Sequence, residues 1–376
     1  MQAVSPPSSA SLPPIQVNQV PLDRRSVRLR LLRLGSDAYV GDGNYVTPPI
    51  REQMAALDPG AGGVLAGLPA VGLIAVQLGR PVARMVVRVG TCGLGAFSNY
   101  ENVAGAAAAR ALVDAAMGWL AEHGGTRLVG PVGVGPHDPL GLLVSGFSRS
   151  PTVATPYNPP RYVEHLEAAG LVPRWRLPGW RWRLCPSSQG DHNDQLDRLL
   201  AQQRVTIREA DLASFDREIG AWRQVIGEGI AEPWRPAGNR AAFSELQAFE
   251  LPRLSLPGSV LFAERDGVPI GVVVTVPDVN RILPRKGWMG PLAWWRLIRK
   301  RAEIAEGRVR FLVSRSGEDD PAIPLILLLA TGQRARSRGV ESLELSCGGE
   351  HDLGMMRAAR ALNARREREF VIFERT

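Results

Sequence analysis

Nowhere in the 376 residues does an apolar run approach the ~20 needed to cross a bilayer, so no membrane-spanning helix is expected. Cysteine is scarce. Cys92, Cys185 and Cys347 lie far apart and fit neither a disulfide framework nor a zinc spacing, which makes a reducing cytoplasm the expected setting. His137, His165 and His351 are equally scattered, so no metal ligand is called. The N-terminus lacks the basic, apolar and small-residue order of a signal peptide, and "MQAVSPPSSASLPP" reads as a disordered lead over residues 1–21. Zinc-finger spacings and RNA-recognition aromatic motifs are also missing, which places nucleic acid last among partners.

What is present describes a globular chain, 45% apolar and 22% charged, long enough for two to three domains. The formal charge of +8 and pI near 10.1 come almost wholly from arginine. A solvated basic surface accounts for this, and so does an acidic partner such as the phosphates of coenzyme A or an acidic carrier protein.

Two halves share one order of elements. In the first, "VRLRLLRLGSDAYV" opens as a strand and passes into a helix. "AVGLIAVQLGRPVARMVVRV" gives two strands around a turn at Gly79, Arg80 and Pro81. "VAGAAAARALVDAAMGWLAEHGG" is a helix with Leu112, Ala116 and Leu120 on one face, and "TRLVGPVGV" is a buried strand. "PYNPPRYVEHLEAAGL" is a stiff turn entering a short helix, with Tyr162, Leu166 and Ala169 on one face and Gly170 as the cap. The polar stretch 186–203 links the halves. In the second half "LFAERDGVPIGVVVTVPDVN" is a hairpin turning at Asp266-Gly267. "VRFLVS" and "SLELS" are strands around the helix "AIPLILLLATGQRARSRG", a helix spans Glu350 to Asn363, and "EFVIFER" closes the chain. The expected division is a domain over 22–185 and a second over 204–376, a duplicated α/β fold with a mixed sheet.

That order, with "FSNYEN", "GPVGV", "GLLVSGF" and "PYNPPRYVEHLEAAGL" in the first half and "PDVN", "PLAWWRLIRKR" and "ELSCGGEHDLGMM" in the second, resembles a bacterial branch of tandem GNAT (Gcn5-related) N-acyltransferases. The likeness runs from about Val27 to the end. It implies two fused GNAT-like domains and transfer of an acyl group from a thioester to an amine of an amino acid, peptide or natural product. In such a fold two parallel strands splay, and the pantetheine arm of the donor enters between them; backbone N–H groups of the first strand polarise the thioester. The donor is acyl-CoA or the acyl-phosphopantetheine of a carrier protein, with no resident cofactor. A non-catalytic GNAT-like binding or regulatory protein is the alternative.

Carried over residue by residue, the arm would lie along Leu312, Val313, Ser314, Arg315, Ser316 and Gly317. Glu318, Asp319 and Asp320 stand where a diphosphate would sit and repel it, with Arg315 a partial offset; the first half offers Gly105 alone. Catalytic candidates are Glu344, Ser346 and Glu350 in the second half and Glu101 in the first. Glu344 and Ser346 share a strand face by period two. Capping the next helix is the competing role for Glu350, and Cys347 is read as a small core thiol. Residues 281–301 hold seven basic side chains with Trp288, Trp294 and Trp295 and no acid. Arg296, Arg299, Lys300 and Arg301 form either a docking face for an acidic carrier or the polar side of an amphipathic helix.

Overall fold

The computed structural model describes residues 13–48, 50–60, 65, 67–90, 93–134, 139–185, 189–211, 218, 220–222, 224–225, 258–282, 299–300, 303–315, 320–346, 349–350 and 352–376. Local chemistry sets the hairpins. β2 (Ala70–Gln77) and β3 (Arg80–Val89) meet at Leu78-Gly79, both with positive φ, and β9 (Val260–Arg265) and β10 (Val268–Pro277) at Asp266-Gly267, also both positive. Such two-residue turns match the twist of the strands they join. The second turn is where the sequence puts it. The first falls one step earlier, because Arg80 and Pro81 already pair with Gln77 and Val76.

Each half then runs strand, long helix, strand. β4 (Leu94–Asn102), α3 (Ala106–Glu122) and β5 (Arg127–Gly130) form the first unit. β11 (Glu306–Ser314), the helix Ala322–Arg336 (α6 here) and β12 (Ser342–Leu345) form the second. Each strand pair is parallel and short. Leu94–Ala96 pairs with Arg127–Val129, and Glu306–Val309 pairs with Ser342–Leu345; β11 runs on past these residues without its parallel neighbour, and β4 does so past Phe97, whose C=O still accepts from Val132 N–H. Both splayed strands carry a bulge against their antiparallel partner.

Preceding these are β1 (Gln16–Val20), α1 (Arg25–Arg33) and α2 (Ile50–Ala56). Two expectations change here. Residues 16–20, assigned by composition to the disordered lead, pair antiparallel with β2 from Gln16↔Val76 to Val20↔Gly72, an edge that local composition does not report. "VRLRLLRL" is helical from the start, because Arg28, Leu31 and Leu32 recur at helical spacing and are the buried residues.

β6 (Leu142–Ser145), α4 (Arg161–Ala168) and β7 (Val172–Arg183) complete the first half. α5 (Gln189–Gln203), β8 (Thr206–Glu209), the helix Leu353–Ala361 (α7 here) and β13 (Arg365–Arg375) complete the second. The polar stretch between the halves is thus largely helix α5, laid on the second core through Leu196. The sheet runs β1-β2-β3-β4-β5-β13-β7-β12-β11-β10-β9-β8, with β6 beside β13. The final strands are exchanged: β13, from the end of the chain, pairs with β5, and β7 pairs with β12. Trp182 of β7 is keyed into the second core, where a Cβ on Gly332 of α6 would come within 2.2 Å of its ring.

Candidate functional site

The first-half site starts from the bulge in β4. Val86 opposes Ser98 and Arg84 opposes Glu101, so Asn99 and Tyr100 together face Met85, with Asn99 at φ +52. The extra residue changes the phase of the strand. Phe97 and Tyr100 both enter the core beneath α3, and Glu101 turns to the opposite side beside Arg84.

Three chain segments close on Glu101: the turn 35–39, β3 and α4. The Tyr39 hydroxyl donates to Oε1 at 3.2 Å, the Tyr162 hydroxyl donates to Oε2 at 2.8 Å, and Arg84 Nη2 stands 3.8 Å from Oε1. Gly35 holds φ +101 directly against it, where a Cβ would sit 2.5 Å from that of Glu101. Burial raises the carboxyl to about 7, against the lowering influence of Arg84 and the two hydroxyls. The Tyr162 oxygen also accepts the Asn102 N–H at 2.9 Å, and the Asn102 side chain accepts from Ala104 and Gly105 N–H, fixing the entry to α3.

Tyr39 stacks on Tyr45 with ring centroids 3.8 Å apart, and Tyr157 lies 6.5 Å from each. The Tyr157 hydroxyl donates to Asp42 at 2.7 Å. All five tyrosines of the chain (39, 45, 100, 157 and 162) therefore lie at this one place. Burial pushes each phenol up, Tyr45 to about 12, so they remain proton donors at any ordinary pH. The proline-rich turn has a definite task here. Asn158 accepts from Leu143 N–H at 2.8 Å and donates to Leu143 C=O at 3.1 Å, pinning the turn to β6 so that Tyr157 and Tyr162 reach Glu101's surroundings from either side.

In the second half Glu344 and Ser346 do meet, Ser346 Oγ donating to Glu344 Oε1 at 3.1 Å. Their neighbours come from the first half, from β11 and from the last strand. Thr152 Oγ1 donates to Glu344 Oε2, and the guanidinium groups of Arg181 and Arg368, both buried, each stand 3.7 Å from it. Arg308 donates to Ser346 Oγ and to the carbonyls of Val153 and Ala154. Val153 N–H donates to Asp278 at 2.9 Å and Asn280 Nδ2 donates to Pro151 C=O at 2.9 Å. Burial raises Asp278 to about 6 in spite of Arg281 beside it. Segment 151–154 is thus tied to both strands just where β11 and β12 part.

Glu350 stands apart, exposed and paired with Arg366 at 3.4 Å. Its weighed capping role belongs to Asp352, whose side chain accepts from Met355 N–H, so α7 begins at Leu353 rather than Glu350. Of the expected thioester strand, Leu312 is buried, and Val313 packs on the same apolar cluster as Val153. Ser314 and Arg315 are half-buried, and Arg315 N–H donates to Ile270. Arg299 and Lys300 are exposed. Ser316, Gly317, Glu318, Asp319, Arg296, Arg301, Trp288, Trp294, Trp295, Cys92, Cys347, His137 and His351 lie outside the described residues. Sequence reasoning missed Arg84, Tyr39, Tyr45 and Tyr157. The signal that could have found them is that the chain spends its five tyrosines on three short segments.

No family profile matches the chain. Protein YghO of Escherichia coli (strain K12) is 25% identical over 362 residues, spanning 90% of each chain. A protein named bacterial ceramide synthase, from Caulobacter vibrioides (strain NA1000 / CB15N), is 24% identical over 377 residues, spanning 95% of this chain and 96% of its own. Among solved structures, a tandem GNAT protein from the clavulanic acid biosynthesis pathway superposes with a TM-score of 0.54 at 13% identity, covering 96% of this chain and 98% of that one. The expected fold of two fused GNAT-like units with a mixed sheet is the fold observed.

Proposed function

On the premise that this chain has a tandem GNAT fold, we propose that it is an N-acyltransferase whose reaction centre is Glu101 in the first half. The observation that carries this reading is a carboxyl raised to about 7 at the end of a bulged, splayed strand, held by two phenols. Such a group takes a proton near neutral pH, as a base for an ammonium must. The Glu101 carboxylate accepts a proton from the bound ammonium, and the freed amine attacks the thioester carbonyl. The C–S bond breaks as the C–N bond forms, and the second nitrogen proton goes to the departing thiolate. The Tyr39 and Tyr162 hydroxyls keep the carboxylate oriented. The relative named as a ceramide synthase supports an amine as acceptor.

The donor arm enters between β4 and β5 along Phe97–Asn102 in this reading. The first turn of α3 beyond them is alanine with no acid, unlike the sequence before α6, which carries Glu318, Asp319 and Asp320. The second half, over 204–376, serves as scaffold, since segment 151–154 already bridges its parted strands. Glu344 and Ser346 are then structural, and Leu312–Gly317 is the competing donor position. A cytoplasmic setting with a CoA or carrier-protein thioester, the latter docked on Arg299 and Lys300 beside Arg296 and Arg301, completes the proposal.

Mass spectrometry after incubation with acyl-CoA, acyl-carrier and acyl-pantetheine donors and a range of amines tests it. An amide product is expected, with Glu101→Gln slowing its formation by at least about 100-fold in a folded protein. Reversal of Arg299 and Lys300 to Glu should slow the carrier-bound donor alone. No transfer from any donor would leave a binding protein, and full activity in Glu101→Gln would remove the proposed base.

A further inference from the structure

Arg84 is unlike two other buried arginines, Arg28 of α1 and Arg88 of β3. Arg28 donates to Leu22 and Asp23 carbonyls and to Asp58, and Arg88 donates to the carbonyls of Val132 and Gly133. Arg84 is only 5% exposed, yet its Nε and Nη1 are buried with no hydrogen-bond partner among the described residues, and Nη2 has only the longer contact to Glu101. Burying charged N–H groups without acceptors is costly, so a guanidinium in this state is built for an acceptor that arrives with a ligand.

Its place in the sheet says which ligand. β4 has its parallel neighbour β5 on one flank and β3 on the other, and Arg84 is on β3, in register with Glu101. The gap left by the splay lies on the far flank. Arg84 therefore addresses the amine-bearing molecule and not the thioester. The Glu101 side chain keeps 16% of its surface exposed and that of Arg84 6%.

Resting on the acyltransferase reading above, we propose that Arg84 is a specificity residue for the acceptor. It binds an oxygen, of a hydroxyl or a carboxylate, on the carbon next to the one that bears the amine. With Arg84 and Glu101 3.8 Å apart, vicinal nitrogen and oxygen atoms reach both groups at once. An amine lacking the oxygen leaves the guanidinium unpaired, and a site built for a polar group rejects the analogue that lacks it.

The test compares three acceptors of equal chain length: an alkylamine, a 2-amino-1-alcohol and an α-amino acid. Each is measured for kcat/KM with one acyl-pantetheine donor and, without donor, for Kd by calorimetry. The wild type should favour one oxygen-bearing amine over the alkylamine by about 100-fold, the cost of leaving a buried donor unpaired. Arg84→Gln should lose at least roughly tenfold more on that acceptor than on the alkylamine, and Arg84→Lys should restore part of the difference. Whether alcohol or acid is preferred identifies the oxygen. Equal use of all three acceptors by the wild type, or an equal loss on all three in Arg84→Gln, overturns the proposal. If no amine is acylated, the acyltransferase reading fails, and calorimetry decides the Arg84 assignment alone. Tighter binding of an oxygen-bearing amine that Arg84→Gln abolishes sustains it, and indifference to the substitution ends it. Should Arg84→Gln not fold, Arg84→Lys carries the same comparison.

Discussion

A carboxyl at about 7 has two consequences of opposite sign at Glu101. As a base it must be ionised, so kcat/KM should rise through pH 7 and level off above it. Stability runs the other way. The folded carboxyl holds its proton up to about 7, against an ordinary value of 4.5, so between these values the folded state binds more protons and stability falls as pH rises. Asp278, raised from 3.8 to about 6, adds to the same slope at its lower end. Glu101→Gln should flatten the upper part of the stability slope, near pH 6 to 7, in urea titrations at stepped pH. An unchanged slope there would mean that Glu101 titrates as a surface carboxylate does. Glu101 was legible in the sequence because it ends an apolar strand just before a glycine-opened helix. Arg84 and Tyr39 were not. Each is an ordinary residue in its own segment, and only the register Arg84↔Glu101 and the turn at Gly35 make them partners.

The Pro-Tyr-Asn-Pro-Pro turn is the element that links packing to the site. Its stiffness could be read from three prolines, but its purpose depends on Asn158, whose side chain binds both the N–H and the C=O of Leu143. Asn158→Ala leaves both backbone groups buried without partners, at a cost of about 1–3 kcal/mol. Loss of the pin also frees Tyr157 and Tyr162, so the rate per folded molecule should fall together with the urea midpoint. A lower midpoint with an unaltered rate would show that the turn serves stability alone. Hairpins of this fold were legible for a local reason, since Asp266-Gly267 supplies two residues suited to positive φ. Helix α1 was not, because "VRLRLLRL" alternates well enough to suit either period.

The least legible feature of the whole molecule is the exchange of final strands. "EFVIFER" reads as a strand, but nothing in it says that β13 pairs with β5 rather than with a strand of its own half. That choice is made by closure of the complete sheet. Residues 1–185 expressed alone lack β12 and β13, leaving one edge of β5, both edges of β7 and the strand β6 unpaired. This fragment should be insoluble or aggregated, and co-expression with 186–376 should recover a soluble complex by gel filtration. A monomeric, folded 1–185 would contradict the coupling. The same sheet presents two parted strand pairs, and the proposed reaction takes place at one of them. The most direct measurement is a co-crystal structure with an unreactive thioether analogue of acyl-pantetheine. The arm is expected between β4 and β5, along Phe97–Asn102, with the sulfur beside Glu101; an arm lying between β11 and β12 along Leu312–Arg315 would move the reaction to the second half.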